Sequence, residues 1–217
     1  PSAEALARAL EELIHRTTGA EEARPYPGLA AFIEADAAYF FGREAEVEGA
    51  WKRLPGRHLL GVVGASGVGK SSFLRAGLIP AKPAGWAHLV CTPGDAPFVA
   101  LGQALVPEVS RDTDAMRQML RFEDADVAVG LFRRWWGEHA EALVIVDQLE
   151  ELFTLNPPEV QARFATLLSR LVLEADVHVL VAMRDDFLLR CQEHEALRPV
   201  FSDLMPRAAP TGDPLRR

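Results

Sequence analysis

The chain has 217 residues, 49% apolar and 25% charged, which is enough apolar material for one sizeable domain of ordinary soluble composition. A net charge of -8 argues against non-specific binding to nucleic acid or to an anionic membrane, both of which need a basic face, but it leaves room for a local phosphate site. Cys91 and Cys191 have no metal spacing and form no disulfide framework, and no apolar run approaches the ~20 residues of a membrane span, so two buried thiols in a reducing cytoplasm are expected.

No signal-peptide pattern opens the chain, and a first residue of Pro1 places the expected natural N-terminus upstream. Ser2 to Arg16 predict a helix, with Ser2 as its cap and Leu6, Leu10 and Leu13 near one face. The glycines and prolines of "TTGAEEARPYPG" predict a linker. Arg43 to Leu54 read as a short helix ended by Pro55-Gly56, and "HLLGVV" as a buried strand. Lys70 to Ala76 continue as a helix that stops near Gly77 and Pro80, and "WAHLVC" (Trp86 to Cys91) is a second strand. Ala96 to His139 are mostly helical, with breaks at Pro107 and Asp112. "ALVIVD" (Ala142 to Asp147) is a third strand, Glu159 to Leu173 an amphipathic helix, and "VHVLVAM" (Val177 to Met183) a fourth strand. "DDFLLRCQEHEAL" then starts another helix. Short apolar strands alternating with helices imply a parallel sheet covered on both faces.

The join between the first strand and its helix carries the strongest chemical signal. Gly64, Ala65, Ser66, Gly67, Val68, Gly69, Lys70 and Ser71 fit G-x-x-x-x-G-K-[ST]. Glycines let such a loop curl so that successive N–H groups point inward, and the helix adds its own unpaired donors and the positive end of its dipole. The result is a concave anion site in which Lys70 can reach β- and γ-phosphates and the Ser71 hydroxyl can ligate Mg²⁺. A chance glycine-rich turn could spell the same letters, but it would not need a strand before it and a helix after it.

"LVIVDQLEELF" sets Asp147 at the C-terminal end of a buried strand, where open parallel sheets bind ligands, as a Mg²⁺ partner. Glu150 and Glu151 follow within a turn. One of them, with a slight preference for Glu151, could deprotonate the attacking water; alternatively both simply favour a helix start. Arg184 ends the fourth strand, placed to face a γ-phosphate or to pair with Asp185 or Asp186. Phe40-Phe41-Gly42-Arg43-Glu44 could line the adenine side of the pocket or form a hydrophobic staple at a capped helix start. "FRRWWGEH" (Phe132 to His139) mixes arginine with tryptophan as a single-strand platform does, but at helical spacing its aromatics are more simply core. The six histidines follow no metal pattern.

Five ordered blocks, "PYPGLAAF", "AAYFFGRE", "GASGVGKSSFLRAGLIP", "LVIVDQLEELF" and "VAMRDDFL", together resemble the STAND class of signal-transduction NTPases, in the AAA+-like branch of the phosphate-loop fold. The resemblance is to the bacterial novel STAND NTPase family, often fused to WD-type repeats, and runs from about Arg24 to about Arg190. It implies an α/β P-loop NTPase three-layer sandwich with a mainly parallel central sheet and helices on both faces. It implies ATP or ADP bound at Gly64 to Ser72, with Ser72 included, and Mg²⁺ held by Ser71 and Asp147. Lys70, Glu150, Glu151 and Arg184 would serve catalysis, Arg184 as the γ-phosphate sensor, and Phe41, Gly42 and Arg43 would take the adenine side. Such proteins look like slow switches, open and homo-oligomeric with ATP and closed with ADP.

The expected domains are a helix and linker over 1–24, a nucleotide-binding domain over 25–205 and a tail over 206–217. The family continues into a winged-helix region and sensor repeats, so the chain is expected to be an isolated core with weak hydrolysis. Its first helix resembles the last helix of a bacterial Ser/Thr kinase lobe, which implies a kinase upstream; the alternative is a plain linker helix. The functional reading is an ATP-dependent switch in signalling or defence. The alternatives are a scaffold that keeps nucleotide as a structural ligand and a small-molecule phosphotransferase, for which no compact lid follows the fourth strand.

Overall fold

Five short runs of the chain become strands: Leu59–Gly64 (β1), Trp86–Cys91 (β2), Glu141–Val146 (β3), His178–Met183 (β4) and Leu204–Arg207 (β5). In the computed structural model, which describes residues 30–56, 58–109, 121–202 and 204–207, they form one sheet in the order β2-β3-β4-β1-β5, with every neighbouring pair parallel. The chain divides into two compact units, Pro1–Ala31 and Phe32–Arg217. Only residues 30 and 31 of the first unit are described, and all five strands belong to the second. The helix expected over Ser2 to Arg16, the linker after it, the break at Asp112 and residues 208–217 of the tail lie outside the described residues.

The helices are Glu44–Arg53 (α1), Pro97–Val109 (α3), Ala125–Trp136 (α4), Glu150–Leu155 (α5), Pro158–Glu174 (α6) and Leu188–Glu193 (α7). Between α1 and α3, helix α2 is an α-turn over Lys70–Ser72 that continues in π geometry over Phe73–Leu78. Period-two alternation divides each central strand between two cores. Leu60 and Val62, Leu143 and Ile145, and Leu180 and Ala182 pack with Val47 and Ala50 of α1 and Phe73 and Leu74 of α2. Val144 and Val146, and Val179 and Val181, pack on the other side with Leu101 of α3, Phe132 of α4 and Phe164 and Leu168 of α6. Both faces are covered, which is why these strands read as unbroken apolar runs. The second unit is thus the expected α/β three-layer sandwich.

Register brings the functional chain ends together. Val63 lies beside Met183, and Val146 beside Val181, so the turns leaving β1, β3 and β4 meet at the carboxyl edge of the sheet.

The structure departs from the sequence expectations at three elements. The helix after the glycine loop ends at Leu78, near Gly77 and Pro80 as expected, but from Phe73 onward it takes π geometry, with the Ile79 N–H donated to the Leu74 carbonyl at 3.0 Å. A Cβ at Gly77 would stand 2.7 Å from Phe40 Cε1, so the glycine lets the Phe40 ring close on α2. The same segment is held by the Phe32 N–H donating to Ser72 Oγ (3.1 Å). Pro107 does not break α3, which runs on to Val109; one missing ladder bond in the last turn is offset by the buried Leu101 and Leu105. Finally, β5 adds a fifth strand, on the outer side of β1. It is four residues long and contains Pro206, which an edge strand tolerates.

Phe132 and Trp135 are buried, so the aromatics of "FRRWWGEH" serve the core. Cys91 and Cys191 are free and buried, and burial pushes both thiols up to about 12, which leaves them unreactive. No helix among the described residues is long and apolar enough to cross a membrane.

Candidate functional site

Strand β1 delivers Gly64 to the carboxyl edge, and the chain then turns through a loop whose Gly67 and Gly69 take φ of +75° and +85°. A Cβ at either position would meet nothing within 4 Å, so conformation, not space, requires glycine there. The ladder of α2 begins with the Phe73 N–H donated to the Gly69 carbonyl (2.9 Å), which places the amides of Lys70, Ser71 and Ser72 ahead of it. The Lys70 ammonium folds back on its own loop and donates to the carbonyls of Gly64 (2.7 Å) and Ala65 (2.9 Å). Burial lowers the Lys70 pKa from its usual range. The carboxylates of Glu150, Asp185 and Asp147 oppose that shift, and Arg184 adds to it.

Asp147 leaves β3 nearly fully buried, at 3% exposure. Its Oδ1 accepts from the Ser71 hydroxyl (3.1 Å) and the Gln148 N–H (3.0 Å), while its own N–H is donated to the Cys91 carbonyl (2.9 Å). Its second oxygen faces Arg75 Nε at 3.8 Å. The next residue, Gln148, sits in the left-handed region with φ +54°, a conformation that costs a non-glycine residue about 1 kcal/mol or more. That turn lets the Leu149 N–H reach the Ala182 carbonyl (2.9 Å) and starts α5 against β4.

The two glutamates of α5 then part company. Glu150 Oε2 accepts the Arg184 N–H at the end of β4 (3.3 Å), and Glu150 is the first of the carboxylates acting on Lys70. Glu151 Oε2 instead accepts the Gly94 N–H in the turn after β2 (3.2 Å), where Asn156 also binds the Gly94 carbonyl (2.8 Å). The Arg184 guanidinium is exposed. It pairs with both oxygens of Asp186 through Nε (3.0 Å) and Nη2, and lies over the Phe187 ring at 5.5 Å from its centroid. Of the two neighbouring carboxylates, Asp185 and Asp186, the guanidinium takes the second.

Phe41 is exposed, at 69%. Gly42 takes φ +80° and donates its N–H to Glu44 Oε1 (3.1 Å), and the largely buried Arg43 pairs with Glu46 at 2.7 Å. Arg43 lines a cavity of about 500 Å³ with Phe40, Val47, Trp51, Gly77 and Ala81. The structure therefore gathers the Gly64–Ser72 loop, Asp147 and Glu150 at one edge with the backbone of Arg184, and turns Glu151 toward the β2 side. Arg75 was not foreseen. Its only signal in the sequence is that it follows Ser71 by four residues, on the helix that the loop opens.

Residues 25–217 match the sequence profile of the family described as Novel STAND NTPase 1. No curated protein matches the chain. Among solved structures, the Walker-type ATPase paby2304 of Pyrococcus abyssi superposes with a TM-score of 0.60 at 14% identity, over 82% of this chain and 55% of that one. The Aeropyrum pernix ORC2 protein, solved in ADPNP-ADP complexes, does so with a TM-score of 0.53 at 15% identity, over 77% of this chain and 48% of that one. At those identities the likeness is one of fold, and the chain spans about half the length of either protein.

Proposed function

The chain belongs to the novel STAND NTPase family, and from that premise we propose that it is the ATP-binding, slowly ATP-hydrolysing switch module of a bacterial multidomain signalling or defence protein in the cytoplasm. The observation that carries this reading is the convergence at one sheet edge of the loop amides, the Lys70 ammonium and the Ser71–Asp147 pair. In this reading the chain's other domains and nucleotide-dependent homo-oligomerisation supply the output.

The polyphosphate tail sits on the amides of the loop and the first turn of α2. Lys70 exchanges the carbonyls of Gly64 and Ala65 for β- and γ-phosphate oxygens. Among the described residues no three His, Cys, Asp or Glu side chains gather into a metal cluster. The Ser71 hydroxyl and the Asp147 carboxylate are nevertheless hard oxygen donors 3.1 Å apart, the donor chemistry that Mg²⁺ takes together with phosphate oxygens. Bound there, Mg²⁺ would neutralise charge building on the β- and γ-oxygens. Glu150, between Lys70 and the end of β4, takes the proton of the attacking water. Glu151 braces the turn at Gly94. Arg184 leaves Asp186 to meet the γ-phosphate, and Phe41, Gly42 and Arg43 flank the base.

Incubating the chain with Mg²⁺ and γ-labelled ATP tests the reaction class. Free phosphate at a slow rate is expected. Retained nucleotide without release would instead indicate a scaffold, and label on an acceptor a phosphotransferase. The sensor role has its own readout. A charged hydrogen bond is worth about 1.5–3 kcal/mol, from which the cost of breaking an exposed pair, about 0–1 kcal/mol, must be subtracted. Arg184→Ala is therefore expected to weaken ATP binding about tenfold. ADP affinity should stay the same in calorimetry, and an equal loss for both nucleotides would rule the sensor out.

A further inference from the structure

Arg75 turns its guanidinium toward the carboxylate that Ser71 also touches, with Nε 3.8 Å from Asp147 Oδ2. The two partners are unlike in freedom. Asp147 is pinned: its side chain is 4% exposed, and its Oδ1 holds both the Ser71 hydroxyl and the Gln148 N–H. The Arg75 side chain is 36% exposed and sits on a long, rotatable stem, so it can swing to water at little cost. A carboxylate this deeply buried needs a cation to offset its lost hydration. Lys70 acts on it only at a distance, because its ammonium is committed to the Gly64 and Ala65 carbonyls. Among the described residues the ion pair on Asp147 is made by Arg75.

We infer that Arg75 is a positioning residue, the built-in counter-ion of Asp147, which keeps the carboxylate aimed at Ser71 and competes with the metal for it. This rests on the reading of Asp147 as the metal-holding carboxylate. A dication arriving on Oδ1 and a guanidinium on Oδ2 repel one another across a few ångströms, so the arginine sets how much Mg²⁺ the site requires. It therefore tunes the metal threshold of nucleotide binding without touching the nucleotide.

The test is Mg²⁺ titrated against the full chain at a fixed concentration of a fluorescent non-hydrolysable ATP analogue. Arg75→Gln is expected to lower the half-saturating Mg²⁺ concentration about 3- to 10-fold and to lower the thermal midpoint measured without metal. Arg75→Met, a second neutral variant, should shift the requirement the same way, and Arg75→Lys, which keeps the charge, should leave it at the wild-type value. An unchanged or raised requirement in both neutral variants overturns the inference. Asp147→Asn separates the two layers, since it must raise the requirement. If it does not, the metal reading of Asp147 fails and Arg75's role fails with it. If it does while the Arg75 variants stay at wild type, only the counter-ion role is lost.

Discussion

Lys70→Ala is expected to abolish the thermal stabilisation that ATP confers on the chain. A ligand that binds only the folded state at 100 times its dissociation constant adds about 2.7 kcal/mol. In a domain of this size each kcal/mol moves the midpoint by about 2–4 °C, so a wild-type rise of roughly 5–10 °C should be seen. Lys70 places one ammonium against two phosphates, and losing two charged hydrogen bonds at about 1.5–3 kcal/mol each weakens binding more than 100-fold. At the same ATP concentration the variant then gains less than about 0.5 kcal/mol, a shift near the limit of detection. The protein without nucleotide should lose little, because the ammonium contacts two carbonyls at the half-buried rim of the loop and water can replace it there. Differential scanning fluorimetry with and without ATP separates the two effects, and an undiminished ATP shift in Lys70→Ala would remove the phosphate site from this loop.

That site was legible in the sequence because its chemistry constrains residue type locally. Gly67 and Gly69 occupy backbone conformations that other residues rarely take, and Asp147 follows an unbroken apolar strand. The sandwich was legible for the same reason, since strands buried on both faces cannot alternate. What sequence could not show depends on contacts from elsewhere in the chain. The π stretch of α2 accompanies the Phe40 ring against Gly77, 37 positions away. β5 is short, carries Pro206, and is a strand only because β1 offers it an edge. Asp185 and Asp186 both lay within reach of Arg184, and the turn after β4 brings Asp186 to its guanidinium. Consecutive glutamates at a helix start point about 100° apart, so one of them must turn away from the site. Which one does is decided by the left-handed turn at Gln148 and the Leu149 bond to Ala182, neither of which has a sequence signature.

The division between those glutamates leads to the other large effect. Glu150→Gln is expected to slow ATP turnover by about 10²- to 10⁴-fold, the range for loss of a general base, while ATP binding survives. The substitution keeps the size of the side chain and an oxygen that can still accept the Arg184 N–H, so it removes proton affinity and little else. Glu151→Gln should leave turnover within a few-fold of wild type, because its carboxylate turns to the Gly94 N–H on the β2 side and, unlike that of Glu150, is not among the carboxylates acting on Lys70. Its cost should fall on stability instead, at about 1 kcal/mol or less for a weakened hydrogen bond that Asn156 partly backs up from the same turn. Phosphate release under single-turnover conditions, alongside ATP affinity for each variant, distinguishes the roles. A rate loss confined to Glu151→Gln would transfer the base to that residue. Equal wild-type rates in both variants would mean that neither carboxylate accepts the proton.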